Sequence, residues 1–129
     1  MEEYKMDAQK FKDSINATKD NLNKNQMNDQ INQCIMTIQD SLDARKGEDN
    51  ALDIVREECA EFIQAVSKMI RFGEEDDWYH LLEEYADVMI ALEVVKHIYH
   101  IDKSEINNAY LVKLKRMVGK IRENGGIIK

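Results

Sequence analysis

Two stretches of this chain put acids where a helix would bury apolar side chains. Glu57-Glu58-Cys59-Ala60-Glu61 recurs as Glu83-Glu84-Tyr85-Ala86-Asp87, 26 residues further on, with an acid at each of three matching positions. Apolar residues return every three or four positions around both copies, the spacing of a helix with one face toward a core. Take about 100° per residue and set Glu58 at zero. Ala51, Ile54, Val55, Phe62, Ala65, Val66 and Met69 then share an arc from roughly −40° to +80°. Glu58 lies inside the arc, Glu61 at its edge and Glu57 just beyond it. With Glu84 at zero, Leu81, Val88, Ala91, Leu92, Val95, Ile98 and Tyr99 take the same arc. Glu84 is inside it, Asp87 at the edge and Glu83 beyond.

The spacing predicts helices over about 51–72 and 77–100, joined by a turn at Gly73–Asp76 and therefore antiparallel. Glu58 and Glu61 stand 15 and 12 residues before Gly73, and Glu84 and Asp87 stand 11 and 14 after it. At a rise of ~1.5 Å per residue the two pairs meet within about one turn. An uncompensated buried carboxylate is very costly and would rather protonate or pull in a cation, and four at one level cannot all stay ionised without positive charge between them. Arg56, Lys68, Arg71 and Lys96, the basic residues of these two helices, map to other faces. For Glu57, Glu83 and Glu93 the plainer reading is a solvated position or a Lys/Arg pair. Four carboxylate donors suit a hard cation, Mg²⁺ or Mn²⁺. A di-iron bundle needs Glu-x-x-His, whereas His80 precedes Glu83 in the reverse order and the first copy has no His. Mg²⁺ is commonly held by carboxylates together with substrate phosphates, so the pattern points to phosphate chemistry.

The rest of the chain reads as all-α. It has 129 residues, no proline and five glycines, too little turn punctuation for a sheet protein. Residues 4–22 form a weak polar helix, and Asn21–Gln26 reads as a break. A stronger helix over 27–45 carries the stripe Met27, Ile31, Cys34, Ile35, Ile38, Leu42. Gly47 suits its C-terminal cap, and Asp49 or Asn50 the N-cap of the next helix. Ser104 looks like the N-cap of the last helix, which runs to about Glu123 and ends at Gly125-Gly126. The expected organisation is an N-terminal arm over 1–25, mobile or used in assembly, a four-helix-bundle-like domain over 26–124, and a short tail over 125–129. Cys34 and Cys59 fall on apolar helical faces and read as reduced core thiols.

Charge and hydropathy exclude several classes. The net charge is −7, with 12 Asp/Glu against 4 Lys/Arg over 51–100 and 3 against 7 over 101–129. That division argues against a nucleic-acid binder, which would show a coherent basic face. No apolar run approaches the ~18 residues of a membrane span, and Met1–Lys5 lacks a signal peptide's apolar stretch, so the expected location is cytoplasmic. Neither a Ser/His/Asp arrangement nor a Gly-rich phosphate loop stands out.

Glu-Glu-x-x-Glu followed after some 20 residues by Glu-Glu-x-x-Asp resembles the signature of the all-α NTP pyrophosphatase superfamily. The resemblance covers roughly residues 27–122 and is nearest to small MazG-like proteins. These carry a run like Ala86 to Glu93, and a Lys-Leu-x-Arg like Lys113-Leu114-Lys115-Arg116 on the last helix. It implies a MazG-type fold and Mg²⁺-dependent hydrolysis of a (d)NTP to the monophosphate and pyrophosphate, in nucleotide-pool house-cleaning. Glu58, Glu61, Glu84 and Asp87 would be the metal ligands. Glu57 would be an extra ligand or the base that orients the attacking water. Lys113 and Arg116, on a common side at i and i+3, would bind phosphate, although Lys115, Lys120 and Arg122 nearby also fit a solvated basic face. Gln30, Asn32 and Gln33 are polar candidates for a base pocket. Trp78 could stack on a base, although a lone Trp beside a turn is more often a packing residue. The Trp-Asp common after the first strong helix in MazG relatives is missing, which leaves the base open. Family relatives complete the site by pairing subunits, so a homodimer or homotetramer is expected. Two other readings stand beside this one. One is a catalytically silent helical interaction module of the same fold. The other is phosphoribosyl-ATP hydrolysis, whose branch usually reads Asp-Leu-x-Tyr-His where this chain reads Asp87-Val88-Met89-Ile90-Ala91.

Overall fold

A computed structural model describes residues 7–44 and 50–126. The chain is all-α, with five helices and no strand among the described residues: α1 (Ala8–Asn21), α2 (Lys24–Ala44), α3 (Asn50–Arg71), α4 (Glu75–Ile98) and α5 (Lys103–Glu123). Their starts follow from local side-chain chemistry. Asp7 caps α1, its Oδ1 accepting from the Lys10 N–H at 2.8 Å. Asn23 and Gln26 form a reciprocal capping box, each backbone N–H donating to the other's side-chain oxygen at 3.0 and 2.9 Å. The break between α1 and α2 is therefore only Leu22–Asn23, shorter than the expected Asn21–Gln26, because Gln26 belongs to the cap that starts α2. Asp102, not Ser104, is the N-cap of α5, and its N–H donates to Glu105 Oε1 at 3.3 Å. The acid at the third helical position makes Asp102 the better start. The expected caps at Gly47 and Asp49, and the side chain of Asn50, lie outside the described residues.

Gly73 makes the α3–α4 turn at φ 63°, where a Cβ would stand 3.3 Å from the Met69 carbonyl oxygen. It is a position for glycine on both counts. Beyond it, Asp77 Oδ2 accepts from the Glu74 N–H at 3.2 Å and opens α4. The Phe62 and Tyr85 rings meet edge to face at 6.0 Å, so residues 11 before and 12 after Gly73 stand level across the hairpin. That is the antiparallel register expected for the two acid motifs.

The chain divides into two compact units, Met1–Val95 and Lys96–Lys129. In the first, α1 packs against the start of α4: Lys12 Nζ bonds Glu75 Oε1 and lies 5.5 Å from the centroid of the Tyr79 ring. Among the described residues, Ala65 and Ala91 are the fully buried apolar side chains. Each follows its acid motif on the same helical face, seven residues after Glu58 or Glu84. In the second unit α5 ends in a Schellman turn, with Gly125 and Gly126 at positive φ and the Gly126 N–H reaching the Ile121 carbonyl at 2.7 Å. No described helix is long and apolar enough to cross a membrane.

Several apolar arcs are wider than what the chain itself buries. Leu92 and Tyr99, expected on the core face of α4, are exposed. Cys34 and Cys59, expected in the core, are free and exposed. The physical reason is shared: these side chains lie on helical faces that no other element among the described residues covers.

Candidate metal centre

Glu58, on α3, and Glu84 and Asp87, on α4, converge inside the hairpin. Each offers a carboxylate oxygen, and these atoms all lie within 4.8 Å of one another. The three residues are 4, 2 and 6 % exposed, and Glu84 is the largest fully buried side chain among the described residues. The local cause is the helical spacing: Glu58 and Glu84 sit inside their apolar arcs, and Asp87 stands one turn after Glu84 on the same face. Ala65 and Ala91, both small, bracket the acids along the hairpin and leave them room.

The donor set fits a hard divalent ion. Every ligand atom is a carboxylate oxygen, with no thiolate or imidazole among them. Two ligands of one Mg²⁺ at ~2.1 Å stand at most about 4.2 Å apart. A spread of 4.8 Å is thus within a small side-chain rotation of single-ion coordination. It also suits two ions separated by roughly 3.5–4 Å.

The other expected site residues fall in different places. Glu61 is half-buried at the edge of this group and is not one of its three members, although its Oε2 is out of contact with solvent. Glu57 is exposed, one position before Glu58. Gln30, Asn32 and Gln33 are exposed on α2. Trp78 is partly exposed at the start of α4, its ring edge to face with that of Tyr79 at 4.9 Å. Lys113 and Arg116 are exposed on α5, in the second unit.

Glu83 departs from expectation. It lay beyond the apolar arc and read as solvated or paired with a Lys or Arg; the solvated alternative falls, because the side chain is buried. It lines a cavity of about 290 Å³ with Asp7, Ala8, Lys68, Asp76, Asp77 and His80. The start of α1 reaches this side of α4, so a helix that looked peripheral encloses an acid on the far side of the stripe that carries Glu84 and Asp87. The repeated acid doublet marked the position. Which doublet is covered depends on where α1 docks, and Glu57, the matching residue of the first copy, stays exposed.

The chain matches no protein-family model, no curated protein and no solved structure.

Proposed function

We propose that the chain is a magnesium-dependent nucleoside triphosphate pyrophosphohydrolase, converting a (d)NTP and water to the (d)NMP and pyrophosphate in cytoplasmic nucleotide-pool house-cleaning. The observation that carries the reading is the meeting of three buried carboxylates from two helices within 4.8 Å. It adds to the paired acid motifs, whose resemblance supplies the reaction class. Glu58, Glu84 and Asp87 would hold Mg²⁺, with Mn²⁺ as a substitute and Glu61 at the margin of the group. Bound there, the ion supplies a more acidic water and neutralises charge on the phosphates.

The remaining groups are the chain's own. Glu57, exposed beside Glu58, takes the proton of the attacking water or orients that water toward the α-phosphorus. The bond that breaks joins that phosphorus to the oxygen bridging it to the β-phosphate, and pyrophosphate leaves. Lys113 and Arg116 bind phosphate oxygens as fixed positive charge. Gln30, Gln33 and Trp78 are the candidates for the base.

The test is pyrophosphate release from a panel of NTPs and dNTPs with Mg²⁺ or Mn²⁺, comparing wild type with Glu58→Gln. Metal-dependent release of pyrophosphate and monophosphate is expected. The variant should lose more than the ~10–100-fold that accompanies loss of an outer-shell partner. No turnover of any nucleotide by the wild type, with the variant folding as well or better, would replace this proposal with the interaction-module reading.

A further inference from the structure

α1 lies on α4 by one short face. Ala8, Phe11, Lys12 and Ile15 are half-buried, and their helical spacing puts them on one side of α1. The rest of α1 is exposed, including every residue from Asn16 to Asn21. Among the described residues Lys12 makes the polar contacts from α1 to α4, bonding Glu75 and standing 5.5 Å from the centroid of the Tyr79 ring. Both side chains of that ion pair keep access to water, at 34 and 67 % exposed. The seam beside this contact is not filled. Asp7 and Ala8 supply one wall of the cavity of about 290 Å³, and Lys68 on α3 and Asp76, Asp77, His80 and Glu83 on α4 supply the rest. A close-packed seam leaves few voids larger than one water, whose share of the liquid is about 30 Å³.

The far end of α1 is built as a pivot. Leu22 is extended, at φ −124° and ψ 132°, and its N–H closes α1 by donating to the Thr18 carbonyl at 3.2 Å. Asn23 and Gln26 open α2 with their own capping box. Each helix satisfies its own backbone up to this junction, so a rotation about Leu22 ψ breaks no hydrogen bond of either. We infer that α1 is a hinged strap. It leaves α4 as an intact helix, pivoting at Leu22–Asn23 and latched by Lys12. Its release opens the cavity and uncovers Glu83, which is 7 % exposed while the strap is closed. The energetics favour a release of this kind. An exposed ion pair and a surface cation–π contact each contribute little in water. Phe11 and Ile15, only half-buried, gain part of what full burial would give. The opening of α1 therefore lies well below global unfolding, among the partial openings of a native chain.

The strap is independent of the hydrolase reading, and its test contains neither nucleotide nor metal. In a Cys34→Ser, Cys59→Ser background, His80→Cys puts a thiol in the cavity and Gln64→Cys puts one at an exposed position of α3. With dithionitrobenzoate in excess, the cavity thiol should react more slowly than the exposed one. Lys12→Met should speed the cavity thiol by about five- to tenfold, through loss of one exposed ion pair and one cation–π contact. It should leave the thiol of Gln64→Cys unchanged. Lys12→Arg, which keeps both contacts, should restore the slow rate. Glu75→Gln removes the same ion pair from the side of α4 and serves if Lys12→Met fails to fold. Amide exchange of the full chain should show residues 12–21 opening together, before α3 and α4. A cavity thiol as fast as the exposed one with Lys12 in place overturns the inference. So does an α1 that opens only with α3 and α4, or a cavity thiol that reacts no faster when the Lys12–Glu75 pair is removed.

Discussion

Replacing Glu84 by glutamine should make the metal-free protein more stable, because the replacement removes a charge from a crowded buried site. Glu84 shares its cluster with Glu58 and Asp87, within 4.8 Å of each. At that distance and an effective dielectric of about 20, two like charges cost roughly 3.5 kcal/mol, so about 7 kcal/mol is the ceiling on the repulsion Glu84 meets with all three acids ionised, and proton uptake by any of them lowers it. Side-chain relaxation reduces that figure. A further ~1.5–3 kcal/mol of charge-assisted hydrogen bonding is forfeited when the carboxylate becomes an amide. We expect a net gain of about 1–3 kcal/mol, or a rise in Tm of roughly 4–12 °C for a chain of this size. The assay is thermal unfolding by circular dichroism at neutral pH in chelator, followed by Mg²⁺ titration. Wild type should gain stability with Mg²⁺, by about 2.7 kcal/mol at a hundred times the Kd, and Glu84→Gln should gain almost none. If the variant is less stable than wild type in chelator, the carboxylate acts as a structural anchor. If Mg²⁺ raises both proteins alike, the ion binds elsewhere. Either result refutes the reasoning.

Two further outcomes test local features. His100 sits at φ 52° after α4, its N–H donating to the His97 carbonyl and the Ile101 N–H to the Lys96 carbonyl, the Schellman arrangement that favours glycine. His100→Gly should add about 0.5–1 kcal/mol, read as a higher urea midpoint at constant m-value. A lower midpoint would contradict the strain argument. Lys12 ties α1 to α4, and its hydrogen bond to Glu75, then that carboxylate's charge, raises its pKa above the ordinary 10.5. A raised folded-state pKa means the contribution is complete below pH 10.5 and fades as the pH climbs through the folded value. Lys12→Met should therefore speed amide exchange in α1 at neutral pH, and high salt should do the same to wild type. Unchanged α1 protection in both would show that the ion pair does not hold the helix.

Much of this architecture was legible because helical period and acid placement reinforce each other. The α3–α4 register followed from counting residues on either side of Gly73, and Glu58, Glu84 and Asp87 are together where that count put them. What the sequence left open depends on tertiary cover. The wheel shows that Leu92 and Cys59 lie on apolar faces, but exposure depends on whether another element arrives, and none does among the described residues. Glu83 shows the converse: its own helix gives no reason for burial, and α1, a polar helix without a buried residue, supplies the cover. Ser104 lost the capping position to Asp102 because a cap is decided by two residues together, and Glu105 stands three after Asp102.

The proposed metal centre and the bare face are adjacent residues of one helix. Glu84 points into the hairpin and Tyr85 out of it, and Asp87 and Met89 repeat the division one turn on. Metal ligands must be held to about 0.5 Å, which needs packing behind them. Here the fully buried apolar support among the described residues is two alanines. A hairpin so thinly backed can hold three repelling carboxylates loosely, or be stiffened from outside. A divalent ion drawing Glu58, Glu84 and Asp87 together would immobilise the backbone of both helices, so folding and ion binding draw on the same rigidity. Linkage then makes the effect reciprocal: an ion that binds only the folded hairpin stabilises it, and a change that stiffens the folded hairpin raises its affinity for the ion.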